Sequence, residues 1–115
     1  MPHDPRAYLW DARQAAEQIG RFVEGRSWGD YETDSMLRSA VERQFEIIGE
    51  ALGRLSRDNR AIAEKIPELP RIVAFRNVLI HAYASVDDEL VWSVATEKLG
   101  TLLDSLNELL REVTD

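Results

Sequence analysis

Four residues in one short stretch have side chains that could do chemistry together. They are Arg76, Asn77, His81 and Tyr83, in the run Arg76-Asn77-Val78-Leu79-Ile80-His81-Ala82-Tyr83. Imidazole titrates near neutrality and can take or give a proton at working pH. Guanidinium is a permanent planar cation that matches phosphate oxygens and stabilises charge developing at phosphorus. An Asn amide can orient an imidazole or hold an oxygen. Together these groups suit metal-independent cleavage of RNA, in which a base activates the 2′-hydroxyl against the adjacent phosphate. On a helix, Asn77 and His81 are four apart and share a face. Arg76 and His81 are five apart, roughly 140° around the axis. They can converge only where the helix ends or a second surface meets it. Tyr83 lies two residues beyond His81, where a helix end could swing its hydroxyl back towards the imidazole.

The same residues admit plainer roles. A histidine near a helix end can serve as a C-terminal cap. Arg76 could pair with Glu68 or another surface carboxylate, and Tyr83 could wedge under a loop.

Composition narrows the chemistry. The chain has 115 residues, 44 % of them hydrophobic and 30 % charged, which fits one domain over residues 1–115 with a real core. It has no cysteine, so disulfides, thiolate metal sites and cysteine nucleophiles are excluded. Its imidazoles are His3 and His81, too few for a histidine-rich metal cage, and no cofactor is expected. The net charge of −7 argues against a broad, sequence-blind grip on nucleic acid. That charge is uneven. Residues 54–76 carry six basic side chains against three acidic, residues 77–86 carry none, and residues 87–115 carry two basic against eight acidic. The positive stretch runs straight into the segment holding His81, so a local anion site is compatible with an acidic protein. No apolar run approaches the roughly 20 residues that span a bilayer. The first residues lack the basic-then-apolar order of an export signal, so the expected location is cytoplasmic, with no membrane partner.

The elements that must position the motif are helical nearly throughout. Asp4-Pro5 reads as a cap and first-turn proline, followed by the stripe Leu9, Ala12, Ala16, Ile19 and Val23. Gly25 and Gly29 bracket a break, with a connection through Tyr31. Asp34 or Thr33 then caps a second helix striped by Leu37, Val41, Phe45, Ile48, Leu52 and Leu55. Asp58 or Asn59 opens a short third helix ending near Pro67, and Pro70 starts the fourth, which carries the motif. Asp87 caps a last helix whose apolar stripe continues to Val113. No stretch shows strand alternation. The expectation is an all-α antiparallel bundle of three long and two short helices. Its stripes are wide enough to favour a twofold dimer.

Arg76, four intervening residues, His81, one residue and Tyr83 form a motif that resembles the R-x4-H-x-Y signature of the HepT-like toxins, the former DUF86 family, in the HEPN superfamily. The run Ala40-Val41-Glu42-Arg43-Gln44-Phe45-Glu46-Ile47-Ile48-Gly49-Glu50-Ala51 is similar to that family's second-helix signature. Asp87-Asp88-Glu89-Leu90-Val91-Trp92 resembles the opening of its final helix. The likeness extends over about residues 6–112. It implies a HEPN-like homodimer whose Arg and His residues from both subunits line a shared cleft, and an endoribonuclease acting on mRNA or tRNA. It further implies the toxin of a toxin–antitoxin pair, with a minimal nucleotidyltransferase as antitoxin that transfers AMP from ATP to the motif tyrosine. By position Arg76 and His81 would be the catalytic pair, Asn77 a polar helper, and Tyr83 both a cleft residue and the AMPylation target.

Other features are read more modestly. Glu42, Glu46 and Glu50 form an acidic ridge four residues apart, read as a polar stripe rather than a metal site, with Glu50 the one expected to approach the basic stretch 54–76. Gly49 in mid-helix costs about 1 kcal/mol relative to Ala, which close helix approach would explain. Trp10, Trp28 and Trp92 are candidate core or interface anchors. A second reading stays open, in which a non-catalytic helical dimer uses the Arg-His-Tyr patch to bind a nucleotide or a nucleotidyltransferase partner.

Overall fold

The structure is a computed structural model that describes residues 4–81 and 85–114. Helix α1, Pro5–Val23, starts where the Asp4 carboxylate accepts the Arg6 N–H at 2.9 Å, with Pro5 in the first turn. It ends in a turn at Gly25, whose φ of +73° is open to glycine and strained for other residues. Helix α3, Ser35–Asp58, begins on Asp34, whose side chain accepts the Leu37 N–H at 3.0 Å. The Asn59 side chain caps α4, Arg60–Ala63. Helix α5, Leu69–His81, carries the motif, with Pro70 in its first turn.

Between α1 and α3, where the sequence predicts a connection, lies a further helix. This is α2, Trp28–Thr33, closed by a reciprocal box: Asp30 N–H donates to Ser27 Oγ at 3.1 Å, and Ser27 N–H to Asp30 Oδ2 at 2.9 Å. Gly29 therefore sits inside a helix rather than at its border, and Tyr31 is fully buried.

The last stretch is helical from Asp88 to Thr114 but not uniform. Helix α6, Asp88–Ser93, passes through a π-helical turn, Val94–Lys98, into α7, Leu99–Thr114. The buried positions Val91, Ala95 and Leu99 are spaced by four and then four. On a regular α-helix those two steps would rotate the stripe by about 80°, and the wider π turn takes up that drift. The expected single last helix is thus one continuous helical path with a local expansion.

The core joins Leu9, Ala16 and Ile19 of α1 to Val41, Phe45, Ile48 and Leu52 of α3 and Leu102 and Leu106 of α7. Helix α3 is central, with α1 packed along one side and α5 along the other, while α7 covers α1. The Tyr8 hydroxyl, near the start of α1, donates to Asp58 Oδ2 at the end of α3 at 2.7 Å, so these helices run antiparallel. Gly49 approaches Arg76 while Gly53 faces Val73, so α3 and α5 also run antiparallel. Among the described residues there is no strand, and no helix is long and apolar enough to cross a membrane. The architecture is an all-α bundle, with the additional helix α2 beyond the expected set.

Candidate active site

Helix α5 is pinned to the core by Ile72 and Leu79, both buried, and by Phe75, which meets Phe45 of α3 edge to face at 5.2 Å. That anchoring fixes where Arg76 leaves the helix. Its Cβ and Cγ lie directly over Gly49 of α3, where any side chain would collide with them. The guanidinium then runs along α3 and donates from Nη2 to Glu50 Oε2 at 2.7 Å and from Nη1 to Asn77 Oδ1 at 3.2 Å. The other Glu50 oxygen accepts from Arg54 Nη2 at 3.0 Å. Hydrogen bonds from Arg54 and then Arg76 hold the Glu50 carboxyl below the usual carboxylate range. Arg76 Nε is buried without a hydrogen-bond partner.

This cluster borders an open pocket of about 510 Å³ between α1, α3 and α5. Its walls include Tyr8 and Asp11 of α1, Arg43, Glu50 and Arg54 of α3, and Arg76 and Ile80 of α5. The Arg76 side chain is 28 % exposed, so it is braced by protein and still reachable from the pocket.

The other sequence-derived positions divide. Asn77 is brought against Arg76, with its amide oxygen turned to the guanidinium. His81 is the last residue of α5, exposed and one turn beyond Asn77 on the same face. Along the helix it stands about 7.5 Å further on than Arg76 and about 140° around. Tyr83 lies outside the described residues. Arg76 is engaged with Glu50, not with Glu68. Among the described residues no three or more His, Asp or Glu side chains are placed to hold a metal ion. The glutamate ridge has three different environments instead. Glu50 bridges two arginines, Glu46 pairs with Arg43 at 3.4 Å, and Glu42 is half-buried. Burial, followed by Asp88 and Glu46, pushes the Glu42 carboxyl up.

The role of Arg54 was not legible in the sequence, where it is one of several basic residues. Its one local signal is the i, i+4 spacing from Glu50.

Fold and site together define an all-helical bundle with a braced arginine and an exposed histidine on one short helix beside an open, charged pocket. The family model for HepT-like ribonucleases matches residues 12–111. The chain belongs to the HepT-like ribonuclease family, and is thereby placed among enzymes. A Methanocaldococcus jannaschii protein named "Putative RNase" is 35 % identical over 96 residues, covering 82 % of this chain and 85 % of the relative. A Caldanaerobacter subterraneus protein, also named "Putative RNase", is 32 % identical and covers 94 % and 96 %. The "Probable ribonuclease HepT" of Thermococcus cleftensis is 32 % identical over 111 residues, covering 95 % and 98 %. No solved structure gives a significant match.

Proposed function

We propose that this chain is a metal-independent endoribonuclease toxin, working as a homodimer in the cytoplasm and cleaving mRNA or tRNA at a cleft between its two copies. The observation that carries the reading is Arg76, held by Glu50 at the edge of an open pocket in a member of a ribonuclease family. His81 takes the proton of a ribose 2′-hydroxyl. That oxygen attacks the adjacent phosphorus, the bond from phosphorus to the 5′-oxygen breaks, and the leaving oxygen takes up a proton. The product end is a 2′,3′-cyclic phosphate. Arg76 stabilises the charge gathered on the non-bridging oxygens, and Asn77 steadies the guanidinium.

Separation of Arg76 and His81 around one helix supports a dimeric cleft, since facing copies of α5 would put both side chain types around one phosphate. Val78, in the middle of the motif, is 50 % exposed and offers apolar surface for such a contact. On this reading the antitoxin is a minimal nucleotidyltransferase. It joins the Tyr83 hydroxyl oxygen to the α-phosphorus of ATP and releases pyrophosphate, leaving AMP across the cleft.

The test is His81→Ala, assayed for cleavage of cellular RNA and for growth inhibition on expression. Cleavage and inhibition should both be lost while the melting temperature and dimer mass stay as in the wild type, because His81 is exposed. Retained cleavage would refute the assigned mechanism.

A further inference from the structure

Beside the pocket, the ion pair that holds Arg76 is extended by a third charged group, Arg54, to which the proposed chemistry gives no role. Glu50 is gripped by two guanidinium groups, one from its own helix and one from α5, at 3.0 and 2.7 Å. We infer that Glu50 is a positioning residue that aims Arg76 at an RNA phosphate, and that Arg54 is the counter-charge that keeps Glu50 from neutralising it. The inference rests on the ribonuclease reading of Arg76.

Restraint comes first. Gly49 lets the base of the Arg76 side chain lie against α3, and the next residue, Glu50, takes hold of its far end. A long, flexible side chain is thereby held at both ends before substrate arrives, which is the condition for electrostatic stabilisation without reorganisation.

Donor use is the second point. Guanidinium has five N–H groups. Glu50 and Asn77 each take one, and Nε–H has no partner. Nε–H is enclosed by protein, so what the brace leaves for a phosphate is one N–H on each terminal nitrogen. A carboxylate facing Arg76 alone would cancel its charge. Here one carboxylate is shared between two arginines, so the trio keeps one net positive charge in a chain whose total is −7. Asp11, Glu46 and Arg43 also line the pocket, so its charged walls balance overall, and the positive surplus is local to Arg54 and Arg76, where an anionic group would dock.

The test uses the full chain with a fluorescent mixed-sequence oligoribonucleotide, comparing wild type, Glu50→Gln, Glu50→Asp and Arg76→Ala. Glu50→Gln should lower kcat by about 10- to 100-fold, the cost of a misplaced catalytic group, with little change in KM or melting temperature. Glu50→Asp should recover part of the loss. In nitrogen-15 spectra, the Arg76 Nε–H signal, assigned by its absence from Arg76→Ala, should be sharp in the wild type and broadened in Glu50→Gln. If Glu50→Gln cleaves as fast as the wild type, or faster, while Arg76→Ala does not cleave, positioning by Glu50 is overturned and the ribonuclease reading stands. A kcat loss that tracks a loss of melting temperature, without rescue by Asp, also overturns it. An Arg76→Ala protein as active as wild type would overturn both readings.

Discussion

Gly49 and Arg76 occupy adjoining space so closely that position 49 admits no side chain. A methyl group there would stand 2.6 Å from Arg76 Cγ and closer still to its Cβ. The atoms it would strike belong to the base of the side chain, so relief requires moving α5 rather than rotating a flexible end.

Gly49→Ala therefore sets two effects against each other. Helix propensity favours alanine by about 1 kcal/mol, whereas overpacking a close helix contact costs about 1–3 kcal/mol. The clash should win, because Ile72 and Leu79 leave α5 little freedom to retreat. We expect lower stability in denaturant titration and a larger fractional loss of RNA cleavage, since Arg76 moves with the helix. A variant more stable than wild type, with full activity, would show that α5 shifts freely.

The bundle was legible because burial repeats every three or four residues, and the stripes led directly to the buried faces of α1, α3 and α7. The caps Asp4 and Asp87 were plain, whereas Asp34 and Asn59 each shared the expectation with a neighbour, Thr33 and Asp58. Helix α2 was obscured by Trp28-Gly29, which resembles a break, although Ser27 and Asp30 have the spacing of a capping box. The π turn has no composition of its own and follows from where the stripe must face. At the site, the glycine in mid-helix signalled a close approach. The sequence predicts that Glu50 approaches the basic stretch 54–76, which holds both of its partners. The particular pairing with Arg76 spans 26 residues between two helices, and periodicity reports faces rather than partners.

Tyr31 shows what burial without a partner should cost. Its ring is fully enclosed and packs near Trp92 at 5.3 Å and Trp28 at 6.1 Å, but its hydroxyl makes no hydrogen bond. Burial, with Glu42 and Asp88 nearby, pushes that hydroxyl's pKa well above the usual tyrosine range. Tyr31→Phe keeps the ring and removes the unmet polar group, so it should raise stability by about 1 kcal/mol. Thermal melts would check this, and a fall of similar size would reveal a partner for the hydroxyl.

Glu42 should make stability depend on pH in a defined direction. Its carboxyl is raised by burial first, then by Asp88 and Glu46, with Arg38 opposing. A raised carboxyl holds its proton more tightly in the folded chain. Its contribution to stability thus falls as pH rises from the ordinary glutamate value through the elevated one. Glu42→Gln should melt higher than wild type near pH 7, and the difference should shrink towards zero at about pH 4, where the wild-type carboxyl is largely protonated when folded. A difference independent of pH would mean that the charge on Glu42 is not what the fold resists.

Tyr83 is tested by mass rather than by stability. If AMP transfer to this hydroxyl silences the cleft, incubation with a minimal nucleotidyltransferase partner and ATP should add the mass of one or more AMP groups. Tyr83→Phe, which lacks the nucleophilic oxygen, should gain none. The modified wild type should also lose RNA cleavage, because a bound nucleotide phosphate would meet the positive charge at Arg76 that the substrate needs. Mass gained equally by the phenylalanine variant would move the modification to another residue. Mass gained at Tyr83 with cleavage unimpaired would separate the modification from control of the site.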